Sequence, residues 1–432
     1  YVAIEKGYFK DEGIDLTLVT GFGADKVMTA LISGDADIGF MGSEASVYIY
    51  TGGSSDYAVN FAQLTQRAGN FLVSRDNISN FKWSDVKGLG GKLKGVRNFI
   101  YNRQVAWQLD SFLQEYHPDV AHLHIFYGNL SNAIVDVLRK HHIPMVQSVH
   151  EFRLLCPVYT CLDPHLEICE KCAKETLKLS CVLKRCVKNS LLMSTIAAME
   201  CFVRDVFYSY QKNISAFIMV SRFIENKHID YFPQIASKCH QIYNSIDVDY
   251  YEKFVIPTHC KERYYLYLGR LSYEKGIKTL INVFKIKPHL HLKIAGTGVA
   301  ENELKKYTRE LGLSNVEFLG FVSGEKLLNI VSAAYFTMVP SEWYENNPLS
   351  VIESLALGTP VIGSDIGGIP ELIVGGKNGF LHKPKDEQSL SEALQCAEGL
   401  SREEYESFCT FSVDMAREFF DNRVYYQKLI KL

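Results

Sequence analysis

Long uninterrupted apolar runs, internal repeats and low-complexity tracts are all missing from this chain. The nearest approach to an apolar span, Leu191–Tyr210, is broken by Glu200, Arg204 and Asp205, so it reads as a long amphipathic helix and not as a membrane span or signal peptide. Strong charge of one sign is missing too. The 46 Lys and Arg against 49 Asp and Glu leave a net charge of −3, which gives no field to draw nucleic acid. A paired cysteine framework is also absent. The 11 cysteines are odd in number, and five lie scattered outside the run Cys156–Cys186. That fits a reducing compartment better than a secreted disulfide scaffold. The expected location is the cytoplasm, with peripheral contact at the inner face of the membrane left open. The chain opens at Tyr1 without Met, in what reads as the middle of a domain, and so reads as a fragment.

What is present is 432 residues, 47% of them hydrophobic, enough for two or three domains with separate cores. Residues 1–90 alternate strand-like runs (15–19, 36–41, 57–65, 71–75) with a helical pattern at 24–33, punctuated by glycines. Residues 93–250 read as a helix over 102–115, a strand over 119–125, a helix over 129–141 and a strand over 143–150. A cysteine-rich insertion and a strand over 216–220 follow. Residues 251–432 give the cleanest alternation, with strands at 264–268, 290–295, 316–319, 335–339 and 360–364 separated by helical patterns. Such alternation implies a parallel sheet covered on both faces, with ligands at the carboxyl ends of its strands.

Those strand ends carry the candidate site. After the strand ending near Pro340 comes Glu345-Asn346-Asn347-Pro348-Leu349, then Glu353. Asn346 or Asn347 suits an N-cap, Pro348 the first helical position and Gly358 the position after the helix end. A helix starting there aims its free N–H groups at the carboxyl edge, a place for a phosphate. Glu345 and Glu353 flank it and can hydrogen-bond sugar hydroxyls. Gly269-Arg270 ends the first strand and Lys275-Gly276 follows, so a cation at each place can neutralise a diphosphate. Gly296-Thr297-Gly298 ends the next strand, where missing side chains let a ligand approach the backbone.

These residues resemble the donor domain of retaining GT-B glycosyltransferases, the large family that includes sucrose synthases and bacterial mannosyltransferases. The motifs are Tyr267-Leu268-Gly269-Arg270 through Glu274-Lys275-Gly276, Ala295-Gly296-Thr297-Gly298, Phe318-Leu319-Gly320-Phe321, and Pro340-Ser341-Glu342 through Glu353-Ser354-Leu355-Ala356. Gly358-Thr359-Pro360-Val361-Ile362 and Gly367-Gly368-Ile369-Pro370-Glu371 complete them. The resemblance implies that Arg270 and Lys275 hold the diphosphate, that Glu353 binds the ribose, and that Glu345 lies near the donor sugar. It implies that backbone around Gly320, Phe321 and Val322 reads the base, with Gly269, Gly296, Gly298, Asn347, Pro348 and Leu349 completing the donor site. Residues 93–250 resemble the later part of the same family's acceptor domain through Pro118–His124, Ile143–Glu151, Cys156-Pro157, Val220-Ser221 and Asn244–Asp247. His150 would then lie beside the donor sugar, while His124 reads as structural.

Cys156, Cys161, Cys169, Cys172, Cys181 and Cys186 fall within 31 residues. One Cys-x-x-Cys with outlying thiols is the raw material of a tetrahedral structural zinc, with Cys156, Cys169, Cys172, Cys181 and Cys186 as candidate ligands. Reduced buried thiols and a disulfide are the alternatives. No cofactor is expected for transfer itself, since Arg270 and Lys275 supply the positive charge and no Asp-x-Asp triplet lies in residues 251–432.

Residues 1–90 resemble instead the first lobe of periplasmic solute-binding proteins of the nitrate, sulfonate and thiamine-precursor uptake type. The motifs are Glu5-Lys6-Gly7-Tyr8-Phe9, Glu12-Gly13-Ile14-Asp15, Ala30–Gly34, Ala36-Asp37-Ile38-Gly39, Gly42–Ala45 and Trp83–Gly88. The whole therefore reads as a chimera of three stretches, 1–90, 93–250 and 251–432. The expected fold is α/β and GT-B-like: two Rossmann-like domains with parallel sheets, the N-terminal one incomplete and preceded by a partial periplasmic-binding-protein-like lobe. The expected activity is retaining transfer of a sugar from a nucleotide donor (UDP- or GDP-sugar) to a hydroxyl of a glycan, lipid-linked or small-molecule acceptor. The alternatives are a transporter's solute-binding protein, or an inert chimera that only binds nucleotide sugar. No nucleic-acid partner is expected.

Overall fold

A computed structural model describes residues 89–432, apart from Asn129. The lobe expected over 1–90 and its motifs lie outside the described residues but for the last two positions. Apart from 323–326, the described residues belong to one compact unit, which holds two parallel sheets.

The first sheet has four strands in the order β1-β2-β3-β4: Ala121–Leu123, Met145–Val149, Ala216–Met219 and Cys239–Gln241. Helices Arg103–Glu115, Ala133–Lys140, Leu191–Val206 and Arg222–Tyr231 surround it. Asn102 caps the first of these by accepting from the Gln104 and Val105 amides. Strand β1 is shorter than expected because its pairing with β2 runs only from Ala121↔Met145 to Leu123↔Gln147. A core of Leu113, Val135, Val137, Met145, Val149, Phe152, Phe217 and Met219 fills this half.

The span Leu191–Tyr210 departs from expectation. It is a helix over Leu191–Val206, then a break at Ser209 in the left-handed region and a second short helix over Tyr210–Asn213. Its polarity is also reversed. Glu200 and Arg204 point inward, while Leu191, Leu192, Met193, Met199, Val206 and Phe207 are exposed. Inside, Glu200 Oε2 accepts from Arg153 Nη2 at 2.8 Å and lies 3.7 Å from Arg204 Nη1, and Arg204 Nε donates to Asp205 at 2.9 Å. The charges face inward because they pair with each other, which an unpaired charge could not do.

The second sheet has six strands in the order β10-β9-β8-β5-β6-β7: β5 Tyr264–Leu268, β6 His291–Ala295, β7 Val316–Gly320, β8 Phe336–Val339, β9 Val361–Ser364 and β10 Gly379–His382. The chain builds outward from β5 through β6 to β7, then returns to β5's other side for β8, β9 and β10. Both faces are covered by apolar cores, one including Tyr265, Leu280, Phe284, Ile294 and Leu394, the other Leu266, Val351, Ile352, Leu355, Ala416 and Phe420. β4 and β10, three and four residues long, were not evident from the sequence; neither is long enough for a period to emerge.

Candidate functional site

In an open parallel sheet, a crevice forms at the carboxyl ends of the two strands between which the strand order reverses. Here those strands are β5 and β8. The loop after β5 carries Gly269, Arg270 and Lys275, and the loop after β8 carries Ser341, Trp343, Glu345, Asn346 and Asn347. The fold itself therefore brings the two candidate loops together.

Their meeting point is the Glu345 carboxylate. One oxygen, Oε1, accepts from Lys275 Nζ at 2.5 Å, Trp343 Nε1 at 2.8 Å and Ser341 Oγ at 2.9 Å. Burial alone would raise this carboxyl's pKa; the Lys275 charge and the three donors outweigh it and hold the group below its ordinary value. Lys275 also lies 5.1 Å from the centre of the Trp343 ring. Arg270 is largely exposed and pairs with Glu274 at 3.0 Å. Glu353, in the helix Leu349–Ala356, accepts from the Tyr251 hydroxyl at 3.0 Å.

The glycines also let the strand-end loops pack closely. Gly296 has φ +141°, and a Cβ there would sit 1.9 Å from the Gly269 carbonyl oxygen. Gly276 has φ +68°, and its Cβ would meet the Pro340 carbonyl at 1.9 Å. They let the strand-end loops touch one another. The Gly296 amide is spent on the Gly320 carbonyl at 2.7 Å, across the ends of β6 and β7. Gly298 likewise packs against the Leu271 backbone, while Gly320 ends β7 and Phe321 follows it.

Neither asparagine caps the helix as expected. The helix runs Leu349–Ala356 with Pro348 in the capping position, extended, and with no side-chain cap. Asn346 Nδ2 donates instead to the His150 carbonyl at 2.7 Å, and Asn347 Oδ1 accepts from the Asn244 amide at 2.8 Å. Bonds to the four-stranded half have claimed both side chains and left the helix start open.

His150 follows β2. Its Nε2 shares a hydrogen bond with His124 Nδ1 at 3.0 Å, and the rings stack at 5.3 Å. His122 stands beside His124, with ring centres 4.4 Å apart. Burial, then the neighbouring His124 and His122, push the His150 pKa down to about 4, so its ring is neutral at pH 7. His124 is thus the direct partner of His150 and more than a packing residue.

Every described cysteine is a free thiol. Among the described residues no group of three or more His, Cys, Asp or Glu side chains is arranged to hold a metal ion. The zinc expectation for Cys156, Cys169, Cys172, Cys181 and Cys186 therefore finds no ligand set. The thiols make other contacts: Cys156 with Cys161, Cys172 with Cys181, and Cys169 with Lys184 at 3.5 Å.

Sequence reasoning passed over Tyr251 and Trp343, and gave no role to Ser341 or Glu371, though both lie in the motifs quoted above. The Glu371 carboxylate accepts from the Arg222 and Phe223 amides at 2.8 and 2.6 Å, capping a helix of the four-stranded half. Its place in Gly367-Gly368-Ile369-Pro370-Glu371 was the available signal.

Comparison with known proteins finds two family matches. Residues 252–407 match the family model described as glycosyl transferases group 1, and residues 1–98 match NMT1/THI5 like. YtlA of Bacillus subtilis, which bears the name of a binding protein, is 39% identical over 141 residues, 31% of this chain and 40% of its own length. The uncharacterized glycosyltransferase MJ1607 of Methanocaldococcus jannaschii is 37% identical over 134 residues, 30% of this chain and 34% of its own. The chain thus spans about a third to two-fifths of these curated relatives. Among solved structures, Anabaena Alr3699/HepE in complex with UDP superposes with a TM-score of 0.57 at 18% identity, covering 76% of this chain and 80% of that one. That likeness is one of fold, and the fold is GT-B. The two matches fall on different parts of the chain: residues 252–407 are similar to glycosyl transferases group 1, and residues 1–98 to NMT1/THI5 like.

Proposed function

We propose that this protein moves a sugar from a nucleoside diphosphate donor to an acceptor hydroxyl with retention at the anomeric carbon. The observation that carries the reading is the reversal of strand order between β5 and β8, which brings Lys275 to Glu345 beside an uncapped helix start. The HepE structure holds UDP, which makes UDP-sugars the first donors to try and GDP-sugars the second.

In this reading the diphosphate lies against the start of the helix Leu349–Ala356, with Lys275 and Arg270 turning toward it. Both cations are paired with carboxylates in the absence of ligand, so donor binding exchanges Glu274 and Glu345 for phosphate oxygens in part. The bond from the anomeric carbon to the diphosphate breaks as the acceptor oxygen bonds from the same face. The acceptor's proton passes to the departing phosphate oxygen, whose growing charge Lys275, Arg270 and the helix start stabilise. The ionised Glu345 offers negative charge near the electron-poor sugar ring. His150, neutral at pH 7, acts as a hydrogen-bond partner for the sugar rather than as a charged acid. Glu353 takes the ribose.

The reading extends to a cytoplasmic setting with peripheral membrane contact. Support for the latter comes from exposed Leu183, Leu191 and Leu192 beside exposed Arg185 and Lys188. A second reading, small-solute binding through the front segment, is favoured by the NMT1/THI5-like match.

Calorimetric titration of the intact chain with UDP- and GDP-sugars tests the proposal, followed by NMR of the product's anomeric proton. Lys275→Ala should weaken donor binding roughly ten- to a hundred-fold, the worth of one hydrogen bond to a charged group. An intact chain that binds no nucleotide sugar would sink the reading. One that binds without turnover would leave a nucleotide-sugar binder.

A further inference from the structure

Between the thiols of Cys169 and Cys172 lies a carboxylate, Glu170, that sequence reasoning passed over. It accepts three hydrogen bonds: from Lys227 Nζ at 2.7 Å, the Tyr231 hydroxyl at 2.5 Å and the Tyr344 hydroxyl at 2.8 Å. The first two donors sit four residues apart in the helix Arg222–Tyr231, so they share one face and fix the carboxylate in place. The third donor comes from elsewhere. Tyr344 belongs to the loop after β8 and stands between Trp343, which donates to Glu345, and Glu345 itself.

The Tyr344 ring is held as firmly as its hydroxyl. It packs 4.9 Å from Phe223 and 5.8 Å from Phe152, with Lys227 Nζ 5.4 Å from its centre. Farther along the loop, Asn346 and Asn347 are tied to His150 and Asn244. Toward Trp343 the loop is held by Glu342, which accepts from Thr279 at 2.7 Å, and by the Tyr344 bond to Glu170, and a bond to a charged acceptor is about twice as strong as a neutral one.

We propose that Glu170 is a positioning residue: through the Tyr344 hydroxyl it sets the loop so that Trp343 and Lys275 converge on one oxygen of Glu345. The cysteine-rich insertion is then a strut that reaches across to the site. The loop's position follows from geometry alone; the effect on transfer rests on the function proposed above.

Trp343 reports the loop directly. The chain has three tryptophans, so Trp83→Phe and Trp107→Phe leave Trp343 as the sole emitter. In that background Glu170→Ala should redden Trp343 emission and raise its quenching by iodide. Tyr344→Phe should do the same, and the double variant should add nothing further, the mark of one shared bond. Glu170→Gln keeps an acceptor oxygen and should recover part of the change, which guards against a variant that merely misfolds. If the parent transfers sugar, Glu170→Ala should lower kcat roughly ten- to a hundred-fold, as displaced catalytic groups do, with KM for the donor little changed. Unchanged Trp343 emission in Glu170→Ala, or additive effects with Tyr344→Phe, overturns the proposal. A shifted emission in a parent that transfers nothing leaves the strut standing and removes the transferase reading instead.

Discussion

The two sheets of this protein are held together by different physics. Around β5–β10 most buried side chains are apolar or small and polar; Asp421 caps a helix and pairs with Arg423, and Glu345 pairs with Lys275 at the strand ends. Around β1–β4 four charged residues are buried: Arg153, Lys178, Glu200 and Arg204. Arg153 and Arg204 both lie over the Tyr127 ring, at 5.8 and 5.6 Å, and share Glu200 between them. Packing of the first kind is forgiving of small changes so long as volume is kept. A buried ionic network is not, because losing one member strands the others. The six-stranded half should therefore be sensitive to backbone crowding at its strand ends, and the four-stranded half to loss of a single charge.

The sharpest way to break this contrast is Glu200→Ala. It takes from two buried guanidinium groups the carboxylate they share, and should cost about 3–5 kcal/mol. Urea unfolding measures it. Replacing all three, as Arg153→Met, Glu200→Leu and Arg204→Met together, should recover most of the loss, since apolar groups of similar volume need no partners. A cost under about 1 kcal/mol for Glu200→Ala, the range of an exposed pair, would mean the network is solvated and the contrast false.

Next in size is Gly296→Ala. The new methyl would collide with the Gly269 carbonyl at 1.9 Å in a backbone conformation that L residues rarely adopt. Strain and overpacking together should cost about 3 kcal/mol. Gly312→Ala is the control, because Gly312 also has positive φ (+65°) but nothing lies within 4 Å of its added Cβ. It should cost about 1 kcal/mol, the left-handed penalty alone. Thermal melts of the two variants compare them, and equal losses would show that contact between strand ends contributes nothing.

How much of this was legible beforehand follows the same division. The βαβ rhythm of residues 264–364 gave strands within a residue or so of those observed, because buried parallel strands are continuous apolar runs bounded by glycine. The family motifs assign Lys275 to a diphosphate and Glu345 to a sugar; that the two side chains meet follows from the order of the strands. Glu200 and Arg204 misled, since charges in a helix ordinarily mark its wet face. Only Arg153, 47 residues earlier in the chain, reveals that they face inward. Asn346, Asn347 and Glu170 were unreadable on the same ground, because their partners, His150, Asn244 and Tyr344, lie 103 to 196 residues away. Local pattern shows elements and strand-end motifs; it carries no information on which distant side chain claims a polar atom.

The smallest expected effect tests whether the six-stranded half insulates its site. Ser401 begins the helix Arg402–Phe419 with a reciprocal cap: its hydroxyl accepts from the Glu404 amide at 3.2 Å, and the Glu404 carboxylate accepts from the Ser401 amide at 2.8 Å. Ser401→Ala removes half of that exchange and should cost about 1 kcal/mol. The helix packs on Leu349–Ala356, which carries Glu353, through a core that includes Ala416, Leu355 and Ala356. Those contacts lie toward its far end, near Phe420, and an apolar interface tolerates fraying at the distant terminus. Stability should therefore fall while the intact chain's affinity for nucleotide sugar stays within twofold. A parallel loss of both would mean that the position of Glu353 depends on order at Ser401, and that the six-stranded half, like its neighbour, passes a local defect on to its site.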